Sequence, residues 1–129
     1  MTSIRVPFTI AARPSEPADG ETPVVGLTIF DKQFVSDTLI GTSVVHMVSA
    51  LGATGPLAYV ALERVEGSIG GLAGAFLLRH VGSIANGAPS LEIEVVPGSG
   101  TGGFTGMTGR GTIEHHDSGA DLVLDYDGV

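Results

Sequence analysis

The chain has 129 residues, which fits one domain, because single domains typically run to about 100–200 residues. Six lysines and arginines against 14 acidic residues give a net charge of −8, so the basic surface that nucleic acids and anionic membranes require is missing. The absence of cysteine excludes disulfide frameworks, zinc ribbons and cysteine nucleophiles. Hydrophobic residues make up 43% of the chain, too many for a disordered segment.

Residues Thr38 to Leu62 carry no formal charge and are numerous enough to cross a bilayer as a helix. Gly52, Gly55 and Pro56 interrupt this stretch near its middle, so we expect two strands joined by a Gly-Pro turn instead. The amino terminus has no sustained apolar segment of the kind that a secretory signal requires. We therefore expect a cytoplasmic protein that does not enter the membrane.

Runs of β-branched and aromatic residues alternate with breaks rich in glycine, proline and aspartate, which is typical of all-β domains. The segment Lys32–Leu39 is the best helical candidate, but it predicts one turn at most, because it is short and contains β-branched residues. The break after the fifth run lies at Ala85–Gly87. Eight runs predict strands: Ile4–Ile10, Pro23–Phe30, Leu39–Leu51, Leu57–Gly67, Leu72–Val81, Pro89–Val96, Gly109–His116 and Asp121–Tyr126.

Residues two apart in a strand share a face, so alternation predicts which side chains point inward. Antiparallel strands with one apolar face and no covering helix form either a sandwich or a closed barrel, and we favour an eight-stranded antiparallel barrel. The predicted inward residues are Leu57, Tyr59, Ala61, Glu63 and Val65 in the fourth run, Phe76, Leu78 and His80 in the fifth, and Leu91, Ile93 and Val95 in the sixth.

The outward faces of the fourth and fifth strands are apolar in their middle, at Val60, Leu62, Leu77 and Val81. Contiguous exposed apolar patches usually mark interfaces. We therefore expect a homo-oligomer, a dimer or a trimer, with this stripe in the subunit contact.

Some sequence features resemble functional motifs but do not meet the requirements of the corresponding sites. Gly98, Gly100 and Gly103 satisfy the dinucleotide pattern G-x-G-x-x-G, but the glycines that follow prevent the helix that would hold a pyrophosphate, so a long loop is expected. Adjacent His115 and His116 point to opposite faces of a strand and cannot share one metal ion, so we expect one of them to be solvated and the other partly buried. There is no G-x-S-x-G nucleophile motif, and the only lysine, Lys32, lies in a polar segment between two apolar runs.

Glu63 and His80 are both predicted to face inward on neighbouring strands. A buried carboxylate requires a partner, so the two residues form either a structural ion pair or a general base and acid in a dry cavity. A slip of one residue in the assigned register would instead expose both of them.

The segments YVALERVEGSIGGLAGAFLLRHVGSI, LEIEVVPGSGTGGFTGMTGRGTI and the closing LDY resemble the small bacterial proteins of domain of unknown function 3224, over about Tyr59 to Tyr126. More loosely, GTGGFTGMTGRG is similar to the glycine-rich segment of allene oxide cyclases and dirigent proteins. That similarity implies an eight-stranded barrel that steers an apolar intermediate without a cofactor and assembles as an oligomer. The chain departs from the family pattern at Val45–Met47, near Leu122 and around Ala11–Ala12, which implies a more apolar interior.

We expect a cofactor-independent cyclase or isomerase that acts on a small, largely apolar molecule in the barrel cavity. The alternatives are a non-catalytic barrel that binds or carries such a molecule, and a structural protein with a filled core. The expected catalytic residues are Glu63 and His80, without a metal, and the expected ligand contacts are Tyr59, Phe76, Leu78, Tyr126 and His46.

Overall fold

The structure, a computed structural model, describes residues 1–85 and 87–129, with Ala85 described by its backbone alone. Asn86, at the centre of the predicted break at Ala85–Gly87, lies outside the described residues. The strands are β1 (Thr2–Ala12), β2 (Val24–Phe34), β3 (Leu39–Gly52), β4 (Gly55–Ile69), β5 (Leu72–Ala85), β6 (Ala88–Val95), β7 (Thr108–His116) and β8 (Gly119–Asp127).

The eight strands form a closed barrel in which each strand pairs with its neighbours in the chain and β8 pairs with β1. Every pairing is antiparallel. Closure gives every strand a neighbour on both sides, which is how a one-sided apolar sheet buries its face without helices. The predicted all-β class and eight-stranded antiparallel barrel are confirmed.

The alternation of faces is confirmed for most of β4, β5 and β6. Leu57 is the exception: it is exposed near the turn, next to a register shift between Ala50 and Leu51. The uncharged stretch does form two strands, β3 and β4, but the turn between them is at residues 53–54, and Gly55 and Pro56 are the first residues of β4. No helix among the described residues has the length and apolar character needed to cross a bilayer.

The predicted helical turn at Lys32–Leu39 is wrong. Lys32, Gln33 and Phe34 continue β2, because the alternation of Phe30, Lys32 and Phe34 places all three on the inner side of the strand. The only helical turn in the described part of the chain is a 3-10 turn at Gly102–Phe104.

The segment between β6 and β7 closes one end of the barrel. The hydroxyl oxygens of Ser99 and Thr101 accept hydrogen bonds from the backbone N–H groups of Leu77 and Ala75, both at 3.0 Å. A Cβ at Gly74 would overlap the carbonyl of Thr101, so the close passage of this segment over β5 requires glycine. The glycine-rich segment is thus a loop, as its spacing predicts, and the structure adds that this loop plugs one end of the barrel.

The half of the barrel next to this plug is packed with apolar side chains. Phe76 and Phe104 are fully buried and meet edge to face, with ring centroids 5.2 Å apart. Met107, Leu124 and Tyr126 belong to the same buried cluster. Inside the barrel, this packing leaves room for a ligand at the opposite end, where β1 ends and β2 begins.

Candidate functional site

The open end of the barrel holds a pocket of ≈ 560 Å³, here called the mouth pocket. Its walls come from β1, β2, β4, β6, β7 and the start of β8. Most lining side chains are apolar or aromatic. The residues are Phe8, Thr9, Ile10, Lys32, Tyr59, Leu91, Ile113, His115, Ser118, Gly119 and Ala120.

The mouth pocket has a weak side wall between β6 and β7. These strands pair only through Ile93 with Gly111 and Glu94 with Arg110 in the described part of the chain. Leu91 and Ile113 lie beyond the paired residues and both line the pocket. Side-chain packing, and not a continuous hydrogen-bonded ladder, therefore forms this part of the pocket wall.

Tyr59 is placed at the pocket by a glycine on the next strand. Gly82 lies directly opposite Tyr59, and a Cβ there would overlap the tyrosine ring. Burial raises the pKa of the Tyr59 phenol. The phenol therefore stays protonated at neutral pH and offers a hydrogen-bond donor in a mostly apolar wall.

Lys32 lines the pocket and carries a charge, and its side chain is buried, with 4% of its surface exposed. Its Nζ lies 4.3 Å from the centroid of the Phe8 ring and 3.3 Å from Oε1 of Glu63. The ring face and the carboxylate both attract the positive charge of the side chain and hold it in place. The only lysine of the chain thus sits at the inner end of an apolar pocket.

Glu63 lies behind Lys32, fully buried, and accepts three hydrogen bonds. Ser43 Oγ donates to Oε2 at 2.6 Å, His80 Nε2 lies 2.8 Å from Oε1, and Lys32 donates to the same Oε1. Burial alone would raise the pKa of Glu63, but the hydrogen bonds from His80 and Ser43 and the charge of Lys32 outweigh it, so its pKa lies below the ordinary value. Glu63 is therefore an ionised acceptor.

This polar cluster of Lys32, Ser43, Glu63 and His80 is electrically balanced when the imidazole is neutral. One ammonium offsets one carboxylate, and no buried side-chain nitrogen or oxygen among the described residues lacks a partner. A carboxylate with three donors and a lowered pKa is a weak general base. The chemistry that the pocket offers comes from the Lys32 amine, since it is the member that lines the mouth pocket.

The structure brings Glu63 and His80 together, as predicted, but neither lines the mouth pocket. Tyr59 does line it. Phe76, Leu78 and Tyr126 lie in the packed apolar cluster instead. The prediction that His46 contacts a ligand inside the barrel is wrong. Its side chain is exposed on the outer face of β3, because Val45 and Met47 take the inward positions.

Sequence reasoning missed Lys32 and Ser43. The signal for Lys32 was the spacing of Phe30 and Phe34 on either side of it, which continues the inward alternation through a segment that looks polar. Its status as the single lysine was a second signal, since a lone lysine is not needed for solubility. Ser43 gave no such signal, because a serine in a strand is compatible with either face.

In residues 1–85 and 87–129 no group of three or more histidine, aspartate or glutamate side chains is placed to hold an ion. Of the two adjacent histidines, His115 stands at the rim of the mouth pocket. His116 lies 3.0 Å from Asp121 through Nε2. Both are exposed, which corrects the expectation that one of them is partly buried.

The outer wall is apolar where β2 to β5 run side by side. Leu27, Val48, Val60 and Val81 lie directly opposite one another on successive strands and are all exposed; we call them the outer row. Leu62 is also exposed. Leu77, predicted as part of the exposed stripe, is half-buried, because Val96 and Ser99 bond to its backbone.

Comparison with known proteins agrees with this architecture. The family described as "Protein of unknown function (DUF3224)" matches residues 4–126. A solved structure of a DUF3224 family protein of unknown function from Shewanella oneidensis MR-1 is similar with a TM-score of 0.86 and 31% sequence identity, over 100% of this chain and 98% of that one. No curated protein matches the chain. This chain belongs to the DUF3224 family, because the family matches nearly its whole length and the solved family structure has the same fold.

Proposed function

We propose that the protein binds a small, largely apolar, uncharged molecule in the mouth pocket, with an oxygen of that molecule accepting a hydrogen bond from Lys32. The observation that carries the proposal is a ≈ 560 Å³ pocket with apolar walls and a single buried ammonium at its inner end. Pockets of this size with few polar groups are the usual form of small-molecule sites.

The charge balance of the polar cluster supports an uncharged ligand. Glu63 already offsets Lys32, so a carboxylate ligand would add an unpaired charge in a place of low dielectric. A carbonyl, hydroxyl or ether oxygen accepts from the ammonium without this cost. The protonated phenol of Tyr59 is a second donor in reach of the same pocket.

A cofactor-free isomerase or cyclase is the second candidate function. The observation that favours it is the position of Lys32, since a fixed cation in a dry pocket stabilises negative charge that develops on a carbonyl oxygen during a reaction. The catalytic roles of Glu63 and His80 stay predictions. The lowered pKa of Glu63 supports a part in holding Lys32 and His80 better than a part in removing a substrate proton.

The test is a fluorescence titration with the uncharged apolar probe N-phenyl-1-naphthylamine. A ligand of this size that contributes about 0.3 kcal/mol per non-hydrogen atom reaches a dissociation constant on the order of 0.1 mM. We expect saturable binding to the native protein and loss of binding in Ala120→Phe, which fills the mouth. The matched control is Val60→Ser, on the outer row.

Binding that survives Ala120→Phe and disappears in Val60→Ser would move the ligand to the outer wall. No saturable binding to the native protein would remove the proposal and favour a structural barrel.

We also propose that the outer row contacts a second copy of this chain, as a dimer or trimer interface. The row is flanked by ion pairs, Arg79 with Glu94 at 2.6 Å and Arg64 with Glu66 at 2.7 Å. This wall is therefore close to neutral on a chain of net charge −8, so it is a face on which two copies do not repel each other. A cytoplasmic location stays a prediction.

A further inference from the structure

We infer that Lys32 is a carbonyl-reactive amine that forms an imine with small apolar aldehydes in the mouth pocket. The inference rests on the proposed function, because the aldehyde must first enter the pocket. It goes beyond binding in assigning a covalent step to one residue. The position of Lys32 supports this assignment: its side chain is buried, it lines the pocket, and it is the only lysine of the chain.

Apolar surroundings favour the imine over the free components. Phe8, Leu91 and Ile113 line the same pocket as the amine, so an aldehyde chain that packs against them holds its carbonyl at the inner end. Lysines in hydrophobic pockets are the ones that proteins use as nucleophiles toward carbonyls.

The reaction leaves the charge of the polar cluster unchanged. The ammonium first gives one proton to water at the open end of the pocket, and the neutral amine attacks the carbonyl carbon to form the carbon–nitrogen bond. A proton from water and a proton from nitrogen pass to the former carbonyl oxygen, which leaves as water when the carbon–oxygen bond breaks. The product is an iminium with one positive charge, so Glu63 keeps its counter-ion.

The hydrogen bonds to Glu63 keep it ionised throughout the step. Lys32 and His80 both meet Oε1, so His80 continues to stabilise the carboxylate while the lysine is neutral. Ser43 holds Oε2 at 2.6 Å and fixes the orientation of the carboxylate. No further oxidant, metal or co-reactant enters the balance of the step.

The test is reductive trapping of the full chain with hexanal and sodium cyanoborohydride, followed by peptide mass mapping. Hydride addition to the iminium carbon gives a stable secondary amine. The chain has one other primary amine, the exposed amino group of Met1, which lies 3.0 Å from Asp127 and serves as an internal reference. Glyoxylate, a charged aldehyde, is the matched reagent that the apolar pocket does not favour.

We expect hexanal to modify Lys32 in preference to Met1, and glyoxylate to modify Met1 in preference to Lys32. Shortening the aldehyde to butanal removes two methylene groups and should lower its apparent affinity for the Lys32 site about 15-fold, at about 0.8 kcal/mol for each methylene. Ala120→Phe should suppress modification of Lys32 and leave that of Met1 unchanged. Lys32→Arg keeps the charge beside Glu63 and should be modified at Met1 alone.

Two results would overturn the inference. In one, Met1 is modified by hexanal while Lys32 is not, although N-phenyl-1-naphthylamine still binds; the proposed binding function then stands without the covalent step. In the other, glyoxylate and hexanal modify Lys32 equally, which would show that Lys32 reacts as a solvent-exposed amine without selection by the apolar pocket. If N-phenyl-1-naphthylamine also fails to bind, the proposed function falls together with the inference.

Discussion

Glu63→Gln is the substitution that probes the polar cluster most sharply, because it removes the negative charge and keeps the size of the side chain. Lys32 would then be buried with its ammonium unpaired, while Ser43 and His80 could still bond to the amide. Removal of one partner from a buried ion pair costs about 3–5 kcal/mol. For a domain of this length the loss corresponds to a fall in Tm on the order of 10–20 °C.

Glu66→Gln is the matched control on the same strand. Glu66 pairs with Arg64 at 2.7 Å on the outer face, where both side chains are mostly exposed. Exposed ion pairs contribute about 0–1 kcal/mol, so we expect a change in Tm of a few degrees at most. Urea unfolding of both variants, followed by circular dichroism, gives the two free energies of unfolding on one scale.

The double variant Lys32→Met/Glu63→Gln separates charge from packing. It removes both charges from the cluster and leaves two side chains of similar volume, so we expect it to recover much of the stability that Glu63→Gln loses. The account would be refuted if Glu63→Gln lowered the free energy of unfolding by less than about 1 kcal/mol. It would also be refuted if the double variant lost more free energy of unfolding than the single variants Glu63→Gln and Lys32→Met lose together.

The pH dependence of unfolding gives an independent check on Glu63. Its folded-state pKa is depressed below the ordinary value of 4.5, so the unfolded state binds more protons at acidic pH. The stability that Glu63 contributes is fully present above the ordinary value and is lost as the pH falls through the lower, folded-state pKa. We expect this acid-dependent loss to be smaller in Glu63→Gln than in the native protein, and a larger loss in the variant would contradict the assignment.

Three further predictions concern other parts of the barrel. Gly82→Ala should displace the ring of Tyr59 and weaken N-phenyl-1-naphthylamine binding several-fold, measured by fluorescence titration; unchanged affinity would mean that Tyr59 does not contact the probe. Val60→Lys should turn a dimer or trimer into a monomer in light scattering, whereas a native protein that is already a monomer would exclude the outer-row interface. Ser99→Ala should lower the free energy of unfolding in urea by about 1 kcal/mol, because the N–H of Leu77 loses its acceptor; no loss would show that water replaces it.

The barrel itself could be predicted from alternation, because period-two hydrophobicity and glycine-rich breaks are local properties of the chain. β6 illustrates this, since Leu91, Ile93 and Val95 point inward as their spacing indicates. The pairing of Glu63 with His80 also followed from alternation on two adjacent strands. These predictions required no knowledge of which distant residues meet.

The mouth pocket could not be predicted in the same way, because it depends on where packing stops along the barrel axis. Phe76 and Leu78 share a face with His80, yet they lie in the half that the plug fills with Phe104. Lys32 was hidden by its polar neighbours, since Asp31 and Gln33 point outward and made the segment look like a loop. Its burial depends on Glu63, 31 residues away in sequence, and no local pattern reports that contact.

The most direct test of the central claim is a crystal structure of the protein with 2-octanone, an uncharged ketone with an apolar chain. The account predicts that the ketone occupies the mouth pocket, with its chain against Phe8, Leu91 and Ile113 and its oxygen within hydrogen-bonding distance of Lys32 Nζ. A ketone bound along the outer row instead, or a mouth pocket that contains only water at saturating ketone, would contradict it.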